Sequence, residues 1–222
     1  MNKILPFVAI AALIVSCQQE NHEPREVEVP WYNQVYFYGE FMGATHHIPP
    51  DRESYIFDTD VETWADIDGI NALYKTTITF DNNVPFEPNM PEFHLELGPA
   101  QYQSMDSVSY DEFEDFFEEG EHAYVFEDSV EQGARIDFSY IDTAGHHVTL
   151  SSAHAPQPED SLFEIVDSRL REVVIEEVEE GEDVTEKRMY IRAKFEVQLY
   201  DLNGEHARME KGDVVTYFLN ES

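Results

Sequence analysis

Two adjacent histidine pairs, His46-His47 and His146-His147, together with His154 and His206, are the side chains of this 222-residue chain best suited to hold a transition metal. A zinc site needs three or four ligands converging at about 2.0–2.3 Å. Adjacent side chains on an extended strand point to opposite faces, so each pair supplies one ligand. His146 follows one D-x-x-G turn and His206 lies two residues past a second, so these two meet if their hairpins lie side by side. Asp58, Asp60, Asp66 and Asp68, the last followed by Gly69, look like fragments of a calcium loop, which needs alternating oxygen ligands and a glycine at its sharp bend. The full D-x-D-x-D-G order is absent. Trp31 and Trp64, with Tyr32, Tyr36 and Tyr38, could form an aromatic platform for sugar rings, although side chains of this size equally build cores.

Catalytic chemistry has little to stand on. With 47 acidic residues, a carboxylate pair for glycoside cleavage could be drawn almost anywhere, so none is singled out. There is no G-x-S-x-G elbow, no H-E-x-x-H and no phosphate loop, and the single cysteine, Cys17, has another use. A non-enzymatic protein is expected, with calcium the one cofactor worth testing.

That other use follows from the first residues. Lys3 is followed by an apolar run from Ile4 to Val15, broken only by Pro6, and then by Ser16 and Cys17. A charged start, a short apolar segment and a small residue before a cut form an export signal. About a dozen apolar residues are too few to span a bilayer core, which needs roughly 20. The residues Ile14, Val15, Ser16 and Cys17 resemble the lipobox of bacterial lipoproteins. The resemblance implies cleavage before Cys17 and acylation of its sulfur, leaving Cys17 as the mature amino terminus. It also implies several acyl chains, which hold a protein firmly where one holds it marginally. Gln18 stands where the inner-membrane retention signal has Asp, which favours the outer membrane. Residues 18–28 read as a flexible, polar tether.

Charge narrows the partners. Thirteen basic residues against 47 acidic ones give a net charge of −34, which repels nucleic acid over most of the surface. From Thr76 to Gly133 there is no Lys or Arg at all. Diffuse counterions in a salty habitat, bound calcium or a basic partner would each balance that stretch.

The elements that must position these residues are mainly strands. The segments Val35 to Phe41, Thr76 to Phe80 and Phe93 to Leu97 have strand composition or period-two alternation. Ser109 and Glu112 form a capping box before Tyr110, Phe113, Phe116 and Phe117, and Gly120 would close this one short acidic helix. Ile136, Phe138 and Tyr140 alternate, turn through Asp142-Thr143-Ala144-Gly145, and return in Val148 and Leu150. Phe163, Ile165, Val173 and Ile175 supply further strands before the acidic loop Glu179 to Asp183. Met189 to Tyr200 reads as one long strand with a dry and a wet face, and Asp201-Leu202-Asn203-Gly204 repeats the turn before a last strand, Val214 to Leu219.

Short strands, frequent turns and no βαβ alternation predict an antiparallel β-sandwich, Ig-like or jelly-roll-like, over residues 29–222, with two sub-domains dividing near 130 as an alternative. The segments IDFSYIDTAG, SLFEI and FEVQLYDLNG with Gly212, together with the signal, resemble uncharacterised lipoproteins of Bacteroidota-type bacteria. That resemblance implies a surface or periplasmic β domain and carries no activity. The expected role is binding or structural, in the cell envelope, with a glycan or another envelope protein as partner. The alternative is a glycan-handling accessory protein or glycoside-acting enzyme.

Overall fold

The computed structural model describes residues 31, 34–49, 54–67, 69–80, 91–104, 108–125, 131–176 and 183–219. The leader 1–17 with Cys17, the tether 18–28, Tyr32, Asp68 and most of the loop Glu179 to Asp183 lie outside these.

As the alternating patterns predict, the described residues are mainly antiparallel β with one short α-helix. Two hairpins open it, β1 (Tyr36–Phe41) with β2 (Ala44–Ile48), and β3 (Tyr55–Asp66) with β4 (Gly69–Phe80). Then come β5 (Glu92–Tyr102), α1 (Tyr110–Phe116), the two-residue β6 (Gly120–Glu121), and the hairpin of β7 (Gly133–Ile141) and β8 (His147–Ser151). A 3-10 turn (Ser152–His154) leads into the long strands β9 (Leu162–Glu176), β10 (Asp183–Tyr200) and β11 (His206–Leu219). Among the described residues no helix is long and apolar enough to cross a membrane.

The strands follow the order β2-β1-β11-β10-β8-β7-β5-β4-β3, with β9 pairing β10 and β6. Hydrogen bonding is thus continuous through eleven strands, whereas an Ig-like or jelly-roll-like sandwich would divide them into two sheets. The hinge is β10, which runs beside β9 as far as Glu196 and then meets β8 at one pair, Tyr200 with Ser151. Past that hinge the sheet turns over its own core. Phe37 of β1 stacks on Phe93 of β5 at 4.5 Å, Phe93 on Phe195 of β10 at 5.7 Å, and the Thr76 and Thr216 hydroxyls of β4 and β11 share a buried hydrogen bond of 2.7 Å. Elements before and after residue 130 pair and pack together, since β5 pairs β7 and one core cluster draws on residues from Phe37 to Phe218.

The dry face of β10 is the one its alternation predicts: Met189, Ile191, Ala193, Phe195, Val197 and Leu199 are all fully buried. Each large apolar side chain so buried contributes about 1.5–3 kcal/mol. In α1 the capping box forms, with Glu112 N–H donating to Ser109 Oγ at 3.2 Å and Ser109 N–H to Glu112 Oε2 at 3.0 Å. Phe113 and Phe117 bury fully against Tyr74 of β4. The helix is shorter than its pattern predicts: Phe117 caps it, and Gly120 instead opens β6.

The two D-x-x-G turns are built alike. Asp142 Oδ1 accepts the N–H groups of Ala144 and His146, each at 2.8 Å, and Asp201 Oδ1 accepts those of Asn203 and Glu205, also at 2.8 Å. Gly145 and Gly204 sit at φ +86° and +85°, left-handed positions where glycine carries no Cβ penalty.

Candidate functional site

On β11 the period-two pattern slips. Gly212, Val214, Thr216 and Phe218 alternate inward, yet Met209, three residues before Gly212, is fully buried too. Strand geometry permits that only if an extra residue is inserted. Both neighbours record the insertion. On β10, Phe195 pairs Gly212 and Val197 pairs Met209; on β1, Tyr38 pairs Asp213 and Glu40 pairs Glu210. In each case a two-residue step faces a three-residue step on β11. The bulge centres on Lys211, whose φ of +52° is a left-handed conformation that costs a residue with a Cβ. Gly212 beside it is required for a different reason, since a Cβ there would overlap the Phe195 ring.

Outside the core the bulge edges a groove of about 410 Å³, within the roughly 300–1,000 Å³ typical of small-ligand sites. Tyr38 of β1, Lys211 and Asp213 of β11, Lys194 and Glu196 of β10, and Leu162 and Glu164 of β9 line it. Most of its charges are already committed. Lys211 Nζ donates to both oxygens of Glu40 at 2.9 Å, which holds the Glu40 carboxyl below its usual range. The Tyr38 hydroxyl donates to Glu40 Oε1 at 3.4 Å. Asp213 is occupied by Arg192 and by the Tyr36 hydroxyl, which burial, reinforced by the bond to Asp213, pushes up to about 12. Glu196 accepts from Arg208 at 2.9 Å.

Two charges remain. Lys194 and Glu164 are direct partners across β9 and β10, and among the described residues neither side chain enters an ion pair or a side-chain hydrogen bond. One ammonium and one carboxylate, both uncommitted, therefore share the groove.

A second hollow, of about 260 Å³, is lined by His122, Tyr124, Ser152, Pro156, Gln157 and Pro158. Its polar groups are spent on the fold. Gln157 donates through its amide to the Ser152 and Gln198 carbonyls at 2.9 and 2.7 Å and accepts the Gln198 N–H at 2.9 Å, pinning the segment after the 3-10 turn to β10. Tyr124 donates to the Leu162 carbonyl at 3.1 Å.

The residues singled out from their spacing are mostly kept apart. Asp58, Asp60 and Asp66 all lie on β3, opposite Thr77, Lys75 and Gly69, so eight residues of strand, about 26 Å, separate the first from the last. These three cannot close round one calcium ion, because an extended strand cannot bend them together. His146 pairs with Asp142, Nδ1 to Oδ2 at 3.2 Å, while His206 packs on the Tyr200 ring at 5.6 Å, level with Ser151 at the far end of β8. The hairpins point the same way but hold the two imidazoles at different heights. Among the described residues no group of three or more His, Cys, Asp or Glu is placed to hold a metal. His46 and His47 face opposite sides as expected: His46 lies half-buried against Phe138, where desolvation lowers its pKa, and His47 is exposed beside Tyr38. Trp64 is 40% exposed on β3, opposite Asn71, and Trp31 is half-buried. In the strand order Trp64 and the tyrosines of β1 lie near opposite ends, so the aromatic residues do not gather on one strand pair.

Lys194, Glu164 and Lys211 escaped the reading by spacing. The signal that betrays them is the odd interval between Met209 and Val214, two core residues five apart. In comparisons with known proteins, no family model, no curated protein and no solved structure matches the chain.

Proposed function

We propose that this protein is a lipid-anchored lipoprotein of the bacterial envelope, most consistent with the outer membrane, whose β domain binds a small ligand or the end of a polymer at the β11 bulge without transforming it. The anchor rests on the sequence from Ile14 to Cys17 and the tether 18–28. The binding role rests on one observation: a bulge held by a left-handed lysine edges a groove whose remaining uncommitted charges, Lys194 and Glu164, belong to adjacent strands. Bulges and strained backbone concentrate where a side chain must be re-aimed.

Two measurements test it. Mass spectrometry of the protein taken from native membranes should show an amino-terminal peptide beginning at an acylated Cys17; a free thiol or a retained leader overturns the anchor. Lys194 should react with an acylating reagent more slowly in intact cells than in the purified protein, because its ligand shields it; equal reaction overturns the groove. A second reading, glycan handling through the aromatic residues, is favoured by the exposure of Trp64 on the outermost strand and is tested by Trp64→Ala.

A further inference from the structure

Resting on the groove reading above, we infer that the occupant is a neutral polyhydroxylated molecule, a carbohydrate, held through Lys194 and Glu164 with the Tyr38 ring beside it.

The argument is one of charge. An anionic ligand would gain Lys194 but would face Glu164, and it would approach a body carrying a net charge of −34. A cationic ligand would gain Glu164 at the expense of Lys194. Lys211 and Asp213 weigh less in that balance, since each already faces an opposite charge, Glu40 at 2.9 Å on both oxygens for Lys211 and Arg192 for Asp213.

A pair of neighbouring hydroxyls suits both free groups at once. Each hydroxyl has one donor and two acceptor lone pairs, so one can donate to the Glu164 carboxylate while the other accepts from the Lys194 ammonium. Both contacts are charge-assisted, the stronger kind, and a neutral ligand adds no further like charge beside Lys194 or beside Glu164, which already has Glu121 opposite it on β6. Tyr38 offers an aromatic ring, with a hydroxyl at its tip only loosely engaged at 3.4 Å. A volume of about 410 Å³ open at the surface suits part of a chain better than one enclosed small molecule.

The test is calorimetric titration of the detergent-solubilised full-length protein with four neutral hexasaccharides, of glucose in two linkages, xylose and mannose, and with a hexamer of galacturonate as the charged control. The inference expects at least one neutral oligomer to bind with an affinity insensitive to added salt. It expects Lys194→Met and Glu164→Gln each to weaken that binding about tenfold or more, with unchanged melting temperature, and Trp64→Ala to leave it unaltered. Absence of binding by every neutral oligomer overturns the inference. Binding of galacturonate alone, lost in high salt and in Lys194→Met, overturns the neutral class while preserving the groove. Neutral binding abolished by Trp64→Ala but untouched by the groove variants overturns the groove as its location.

Discussion

Asp213 takes the guanidinium of Arg192 on both of its oxygens, Nε to Oδ1 at 3.1 Å and Nη2 to Oδ2 at 2.6 Å, and the Tyr36 hydroxyl on the same Oδ1 at 2.8 Å. Three strands, β1, β10 and β11, are thereby tied together one step beyond the bulge. Two guanidinium nitrogens on two separate carboxylate oxygens form the planar fork geometry that makes an ion pair stronger than an ordinary surface contact. Asp213→Asn should cost about 1–2 kcal/mol, the lower part of the range for charge-assisted bonds because solvent still reaches Arg192. Urea unfolding of Asp213→Asn, Arg192→Met and the double variant should show coupling; strictly additive losses would mean the pair contributes nothing.

The same network gives the protein a stability that depends on pH at the alkaline end. Burial, with help from Asp213, raises the Tyr36 hydroxyl from the ordinary 10.0 to about 12. A folded value above the unfolded one favours the protonated native state, so this stability is complete below the unfolded value and disappears as pH rises through the folded one. The urea midpoint should therefore fall between pH 10 and 12, and Tyr36→Phe should fall less steeply over that window. Parallel curves for the two proteins would contradict the assignment.

At the bulge, backbone and packing make separate demands. Gly212→Ala pushes a methyl group into the Phe195 ring and should cost about 1–3 kcal/mol, as overpacked cores do. Lys211→Val places a β-branched residue at φ +52° and should lower the melting temperature more than Lys211→Asn, since asparagine tolerates the left-handed region. Equal melting temperatures for the two would mean that the left-handed conformation is not held in solution.

The turn aspartates predict an effect of opposite sign at low pH. Hydrogen bonds from the His146 backbone and side chain, and from Asn203, hold Asp142 and Asp201 below their ordinary value of 3.8. Their contribution is present above that value and is lost as pH falls through the lowered ones. Asp142→Ala/Asp201→Ala should be destabilised at neutral pH and should lose less further stability on acidification than the natural protein. Circular dichroism melts at several pH values on either side of 3.8 would decide it.

Calcium should not stabilise the domain through β3. With Asp58, Asp60 and Asp66 strung along one strand, millimolar Ca²⁺ at constant ionic strength should leave the melting temperature where it was. A rise abolished by Asp66→Asn would show that the hairpin end gathers ligands after all.

What the amino-acid order determined by itself is whatever depends on neighbours along the chain. The alternation of Met189 to Tyr200 fixes which side of β10 is dry, Ser109 and Glu112 start the helix, and the spacing Asp142 to Gly145, repeated in Asp201 to Gly204, makes two turns of the same construction. These are governed by contacts within a few residues, so periodicity and capping chemistry suffice. Only the tertiary structure decided that eleven strands join into a single sheet, because the join rests on the pair Tyr200 with Ser151 and on residues 120–125, which bond to β9 on one side and to Ala134 of β7 on the other, and most of these partners are far apart in sequence. It also decided which charges are spent. Of the many carboxylates, Glu40 and Asp213 are paired with Lys211 and Arg192, brought from 171 and 21 residues away, and that leaves Lys194 and Glu164, partners across β9 and β10, uncommitted in the groove. Long-range partners are set by how the sheet closes over its core, and no local pattern encodes them.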